Sequence, residues 1–92
     1  MNQIKYPKIL MYSRDLCSDC IRSKAFLDHN AIPYEEINIL RDERAKTLVI
    51  NLNNGKATVP TIIIGDENNN IILSEPSDTE LSIAISKMSW CS

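Results

Sequence analysis

Two cysteines separated by two residues, Cys17 and Cys20, are the side chains of this 92-residue sequence that point most directly to chemistry. They stand where a short apolar run gives way to a helical pattern, so we expect Cys17 at a helix start and Cys20 one turn further on. The unpaired backbone N–H groups of a helix start carry partial positive charge, which favours a thiolate over a thiol. The spacing predicts a redox pair, in which Cys17 attacks a disulfide and Cys20 resolves the mixed disulfide.

A metal site and a pair of inert core thiols are the alternatives for these cysteines. A structural zinc site needs four ligands, usually in two clustered pairs, and only His29 and Cys91 remain to complete one. Inert thiols would be unusual at an exposed corner between a strand and a helix. We therefore expect no metal and no bound cofactor.

The second candidate feature is Thr58-Val59-Pro60, which opens a run of β-branched residues. A proline at this place can simply mark an edge strand. It can also form a cis peptide bond, and the upstream cysteine pair favours the cis form. Such a bend would turn the N–H and C=O groups of Val59 toward the space beside Cys17, where an extended peptide could pair with them as an added strand.

The elements that must position these residues follow from the apolar patterning. Strands are expected at residues 9–12, 34–39, 59–64 and 71–73, and helices at about 17–30, 45–52 and from 77 onward. Ser77 and Glu80 have the spacing of a capping box at the last helix start. The order βαβαββα predicts one α/β domain over residues 1–92, with a mixed four-stranded sheet flanked by three helices.

Composition restricts the partners of the protein. Apolar residues make up 43% of the chain and charged residues 24%, which is ordinary for a folded globule. The net charge of −2 provides no basic excess for a nucleic acid. The apolar runs are far shorter than the roughly 20 residues of a membrane helix, and the N-terminal residues lack the apolar stretch of a signal peptide. We expect a cytoplasmic monomer that binds neither nucleic acid nor membrane.

The cysteine pair, Thr58-Val59-Pro60 and Pro76-Ser77-Asp78 together resemble the glutaredoxin family of the thioredoxin fold, from about Ile9 to Met88. The two later segments look most like the mycoredoxin and glutaredoxin-like branch. The resemblance implies a thiol–disulfide oxidoreductase that reduces protein disulfides, or mixed disulfides with a low-molecular-weight thiol that is commonly glutathione. The alternatives are an electron donor fed by a flavoprotein reductase and a non-catalytic module that docks a partner or holds an iron–sulfur cluster.

The resemblance also implies a set of residues that bind glutathione as a co-substrate. Arg14 matches the basic residue that contacts the glycine carboxylate, and Thr58 and Val59 match the backbone that pairs with the cysteinyl unit. Ser77 and Asp78 match the pair that holds the γ-glutamyl end, where a helix N-terminus favours a carboxylate. The expected binding set is Arg14, Thr58, Val59, Pro60, Ser77 and Asp78.

The sequence departs from the family pattern in three places, of which one is a hairpin from Gly65 to Asn70 that is a few residues longer than usual. The motif reads Cys-Ser-Asp-Cys instead of Cys-Pro-Tyr-Cys, so Asp19 adds a negative charge between the thiols. This charge opposes thiolate formation, whereas Arg14 and Arg22 favour it. Ser74-Glu75 replaces the usual Gly-Gly before the last helix, which narrows access for the γ-glutamyl group.

Overall fold

Short runs of β-branched and apolar residues form a mixed four-stranded sheet flanked by three helices, as predicted. The computed structural model describes residues 4–91. In chain order its elements are β1 (Ile4–Lys5), β2 (Ile9–Ser13), α1 (Ser18–His29), β3 (Glu35–Asn38), α2 (Glu43–Leu52), β4 (Thr61–Gly65), β5 (Asn70–Ser74), α3 (Asp78–Met88) and β6 (Trp90–Cys91).

The strand order in the main sheet is β3-β2-β4-β5. β2 and β3 are parallel and connected through α1, whereas β4 pairs antiparallel with both β2 and β5. Ser13 and Asn38 are partners at the ends of the parallel pair. The loops that follow β2 and β3 therefore leave the sheet at the same end, the carboxyl end of these two strands, and α1 begins there.

Alternating side chains of the strands contribute to two apolar clusters, one on each face of the sheet. α1 and α3 cover one face, where Met11, Leu27 and Ile62 are fully buried. α2 covers the other face through Ala45 and Val49. Both cysteines of the pair and Val59 belong to this second cluster, so the predicted site packs against the same apolar core as α2.

The structure differs from the sequence prediction in a second, two-stranded sheet, in which β1 pairs antiparallel with β6. Strands of two residues have no periodicity from which they could be predicted. β4 begins at Thr61 instead of Val59, because Pro60 has no N–H to donate to the strand ladder. Within residues 4–91, no helix has the length and apolar character required to cross a membrane.

Candidate redox site

Cys17 is the N-cap residue of α1, which confirms its predicted position at a helix start. Its backbone is extended, and its Sγ accepts the N–H of Cys20 at 3.2 Å. Its carbonyl accepts the N–H of Ile21 at 3.0 Å, the first backbone hydrogen bond of the helix. The sulfur of Cys17 therefore takes the place that an N-cap oxygen usually has, next to N–H groups that favour negative charge.

Cys17 and Cys20 form a disulfide, with their Cα atoms 5.2 Å apart. One helical turn separates the two residues, so their sulfurs can bond without a change of the backbone. The exposed fraction is 8% for Cys17 and 3% for Cys20. Both cysteines are therefore buried, and their roles as attacking and resolving thiol stay predictions.

The loop between β2 and α1 exposes an apolar side chain directly before Cys17 in the chain. Leu16 is fully exposed and has φ 57°, in the left-handed region that is uncommon for residues with a β-carbon. The same loop is tied to the end of β3, because Asn38 Nδ2 donates to Asp15 Oδ1 at 3.1 Å. No pattern in the sequence predicted a role for Leu16, apart from its place directly before Cys17.

The Thr58-Val59-Pro60 segment approaches the disulfide from the start of β4. The Val59–Pro60 peptide bond is cis, which confirms the prediction. The carbonyl oxygen of Val59 lies 3.9 Å from Cys17 Sγ. Two hydrogen bonds hold the segment in place: Thr61 Oγ1 donates to the Thr58 carbonyl at 2.7 Å, and the Glu75 N–H donates to the Pro60 carbonyl at 2.8 Å.

The start of α3 has the predicted capping box. Ser77 Oγ accepts the Glu80 N–H at 3.1 Å, and the Glu80 carboxylate accepts the Ser77 N–H at 3.0 Å. The latter hydrogen bond lowers the pKa of Glu80. Asp78 is the first residue of the helix and is exposed. The expected γ-glutamyl site thus contains a glutamate that already occupies one of its N–H donors.

Arg22 connects the cysteine motif with the loop before α3. Its guanidinium donates to Asp19 Oδ1 at 3.1 Å and to the Pro76 carbonyl at 3.2 Å. The negative charge of Asp19 is therefore paired, although both side chains are nearly half exposed. The two charges were predicted as separate influences on Cys17, and their ion pair was not predicted. Arg14 is exposed on the loop after β2.

Metal-ligating side chains do not gather at this site. Over the described part of the chain, no group of three or more His, Cys, Asp or Glu side chains is arranged to hold a metal ion. His29 is the last residue of α1, at the opposite end of that helix from Cys17. The side chain of Cys91 lies outside the described residues.

Comparisons with known proteins agree with this geometry. The glutaredoxin family model matches residues 9–68. A Mycobacterium tuberculosis protein named as a glutaredoxin is 31% identical over 80 residues, covering 87% of this chain and 92% of its own. Glutaredoxin 1 of Rickettsia prowazekii is 39% identical over 67 residues, covering 70% of this chain and 68% of its own. The solved glutaredoxin of Archaeoglobus fulgidus aligns with a TM-score of 0.63 at 26% identity, over 86% of each chain. A solved thioredoxin-like protein aligns with a TM-score of 0.68 at 25% identity, over 83% of this chain and 97% of that chain.

Proposed function

The chain belongs to the glutaredoxin family, which supports a thiol–disulfide oxidoreductase activity, and from that premise we propose that Cys17 and Cys20 carry this activity. The observation that carries the proposal is the position of Cys17. It caps α1 with its sulfur, is bonded to Cys20, and lies beside the Val59 carbonyl. A helix start stabilises the thiolate that must attack, and the neighbouring thiol is already within bonding reach.

The reaction begins with the reduced protein. The Cys17 thiolate attacks one sulfur of a substrate disulfide, forms a mixed disulfide and releases the other sulfur as a thiolate, which takes up a proton. Cys20, after losing its own proton, attacks Cys17 and releases the second substrate thiol. The substrate has then gained two electrons and two protons, and the protein is left with the Cys17–Cys20 disulfide seen here. Two molecules of a low-molecular-weight thiol return it to the dithiol form and become a disulfide themselves.

Glutathione is the proposed low-molecular-weight thiol, and protein disulfides and glutathione mixed disulfides are the proposed substrates. Two features of the site support this choice. The Thr58-Val59-Pro60 segment lies beside Cys17, where the cysteinyl unit would bind. The α3 start, with Ser77 and Asp78, is linked to the cysteine motif through Arg22. Arg14 completes the set as the partner of the glycine carboxylate.

Single-cysteine variants test the proposal. Cys17→Ser should abolish reduction of both protein disulfides and glutathione mixed disulfides, because no attacking thiolate remains. Cys20→Ser should keep the reduction of glutathione mixed disulfides, since a second glutathione can remove the glutathionyl group from Cys17. It should lose most reduction of protein disulfides, because the mixed disulfide is no longer resolved. Cys91→Ser, which changes the third cysteine of the chain, is the matched control and should behave as the unaltered protein.

The choice of reductant separates the proposal from its closest alternative. Each assay is run once with glutathione and glutathione reductase, and once with a thioredoxin-type flavoprotein reductase. Activity only with glutathione and glutathione reductase supports the proposal. Activity only with the flavoprotein reductase would show that this reductase, and not glutathione, is the electron source. Retention of activity in Cys17→Ser would contradict the assignment of the nucleophile.

A further inference from the structure

A chain of side-chain hydrogen bonds runs behind the Thr58-Val59-Pro60 segment, on the sheet face that α2 covers. Ser74 Oγ donates to Asn53 Oδ1, and Asn53 Nδ2 donates to Thr61 Oγ1 at 3.0 Å. Thr61 Oγ1 in turn donates to the Thr58 carbonyl at 2.7 Å. Thr61 and Ser74 are direct partners in the β4–β5 register, and Asn53 reaches them from the C-cap of α2.

The direction of this chain is determined by the groups around Asn53. The amide nitrogen of Asn53 also donates to the Val49 carbonyl at 2.8 Å, so its oxygen is the end that accepts from Ser74. The hydroxyl of Thr61 accepts from Asn53, and its single proton is then directed to the Thr58 carbonyl. Thr61 is 0% exposed, so bulk water does not reach its hydroxyl, whereas the hydrogen bond between Ser74 and Asn53 is exposed.

The hydrogen bond to Thr58 also orients the next N–H in the chain. The Thr58 carbonyl and the Val59 N–H belong to one planar peptide group, and within the described residues the Val59–Pro60 bond is the only cis bond. In a trans peptide the C=O and N–H point in opposite directions. Because Thr61 holds the carbonyl toward the interior, the Val59 N–H points away from this network. Among the described residues, no backbone carbonyl accepts that N–H.

We infer that Thr61, supported by Asn53 and Ser74, positions the Val59 N–H to bind the backbone of a peptide disulfide at Cys17. The inference rests on the proposed function and names the residues that orient this donor toward disulfides whose cysteines carry amide groups. A disulfide without amides offers this N–H no backbone carbonyl to bind. Thr61, Asn53 and Ser74 are positioning residues, because they act through Val59 and do not touch the reacting sulfurs.

Thr61→Val, which removes the hydroxyl at nearly constant size, is the direct test. The reduced protein is mixed with an excess of glutathione disulfide or of bis(2-hydroxyethyl) disulfide, with no other thiol present. Each reaction converts one disulfide into two thiols and forms the Cys17–Cys20 disulfide, which acid quenching and mass spectrometry follow. Loss of one oriented hydrogen bond should lower the second-order rate constant for glutathione disulfide about threefold to tenfold. The rate constant for bis(2-hydroxyethyl) disulfide, which has no amide, should stay within about twofold.

Two further variants distinguish positioning from a general effect of substitution. Thr61→Ser keeps the hydroxyl and should restore the rate with glutathione disulfide. Thr47→Val removes a hydroxyl that donates to the Glu43 carbonyl on the exposed side of α2, and it should leave both rates unchanged.

Asn53→Asp keeps the test valid if Thr61→Val fails to fold. An aspartate accepts where Asn53 donates, so it should draw the Thr61 hydroxyl proton away from the Thr58 carbonyl. The same selective loss of rate with glutathione disulfide is expected, and circular dichroism verifies that each variant is folded.

The outcomes separate this inference from the proposed function. If the unaltered protein reacts with neither disulfide, the proposed function is wrong and the inference falls with it. If the unaltered protein reacts, but the folded variants lower the rate constants for both disulfides equally or change neither rate constant, the positioning role is wrong. The proposed function then still stands. A selective loss with glutathione disulfide, restored in Thr61→Ser, supports the inference.

Discussion

Replacing Glu80 is expected to strengthen the binding of a glutathione moiety at the start of α3. The carboxylate of Glu80 accepts the Ser77 N–H at 3.0 Å in the capping box. This N–H is one of the donors that a γ-glutamyl carboxylate would use at the helix start. In the proposed binding mode, Glu80 therefore occupies a donor that the ligand would need, and its charge would repel the ligand's carboxylate as well.

The protonation state of Glu80 determines the pH range of this competition. The hydrogen bond from the Ser77 N–H lowers the pKa of Glu80, so the side chain stays ionised at pH values at which a glutamate usually begins to take up a proton. Because the pKa is lower in the folded state than in the unfolded state, the contribution of this hydrogen bond to stability is present above the unfolded-state pKa. It is lost as the pH falls through the folded-state pKa. At neutral pH the competing charge is fully present.

The size of the effect follows from the capping geometry. A ligand carboxylate that takes the same N–H would lie about 4 Å from the carboxylate of Glu80. In water, two like charges at that distance weaken binding by roughly a factor of five, and ~0.15 M salt reduces the factor to about three. Glu80→Gln removes the charge but keeps a capping-box residue, so KM for a glutathione mixed disulfide should fall about threefold to fivefold. Glu80→Ala also frees the N–H and should lower this KM further.

The assay compares two mixed disulfides of one peptide, with glutathione and with cysteamine, which has no γ-glutamyl carboxylate. Only the glutathione substrate should respond to the Glu80 variants, and the response should shrink as salt is raised. Glu43→Gln makes the same charge change in the first turn of α2 and is the matched control. An unchanged KM for the glutathione substrate in both Glu80 variants would refute the reasoning. It would also remove Ser77 and Asp78 from the proposed binding set.

Two further predictions concern other charged groups. Asp19→Asn should lower the pKa of the reduced Cys17 thiol, because a negative charge between the cysteines is lost. Iodoacetamide labelling across pH measures this, and an unchanged or raised pKa would mean that the ion pair of Asp19 already cancels its effect. Burial alone would raise the pKa of Glu36, but the hydrogen bond from Ser13 and the ammonium of Lys24 outweigh it and lower the pKa. Stability from Glu36 is thus present above its unfolded-state pKa and is lost as the pH falls through its folded-state pKa. In Glu36→Gln, the urea midpoint should therefore decline less steeply as the pH falls below 4.5, the usual pKa of a glutamate. An unaltered decline would show that Glu36 does not contribute to the pH dependence of stability.

Most features that the sequence predicted correctly are local ones. Cys17 at a helix start and the capping box of Ser77 and Glu80 each depend on residues within a few positions of one another. The cis bond before Pro60 is the exception, because its prediction also used the distant cysteine pair. Helical and strand periodicity likewise spans only one or two turns or strand repeats. The order of the main elements, and with it the α/β architecture, could therefore be predicted.

The features that the sequence did not predict join distant parts of the chain. β1 and β6 pair the two ends of the described region, and nothing within two residues specifies that pairing. Arg22 meets the Pro76 carbonyl only because α1 and α3 share one face of the sheet. Asn53 directly follows the predicted second helix, and its hydrogen bond with Ser74 depends on how α2 packs on the β4–β5 pair. Such contacts follow from tertiary packing and leave no pattern in the sequence.

Two N–H donors of the proposed binding set, those of Val59 and Ser77, differ in whether they already have an acceptor, and this difference bears on specificity. The Val59 N–H has no backbone acceptor among the described residues, whereas the Ser77 N–H is taken by Glu80. The backbone of a cysteinyl unit therefore meets an available donor, but a γ-glutamyl carboxylate must displace a charged side chain. Every cysteine-containing peptide has a cysteinyl backbone, whereas the γ-glutamyl carboxylate distinguishes glutathione from other peptides. Under the proposed function, we therefore expect the site to recognise peptide disulfides as a class better than it selects glutathione among them, and we expect substitutions of Glu80 to change that preference.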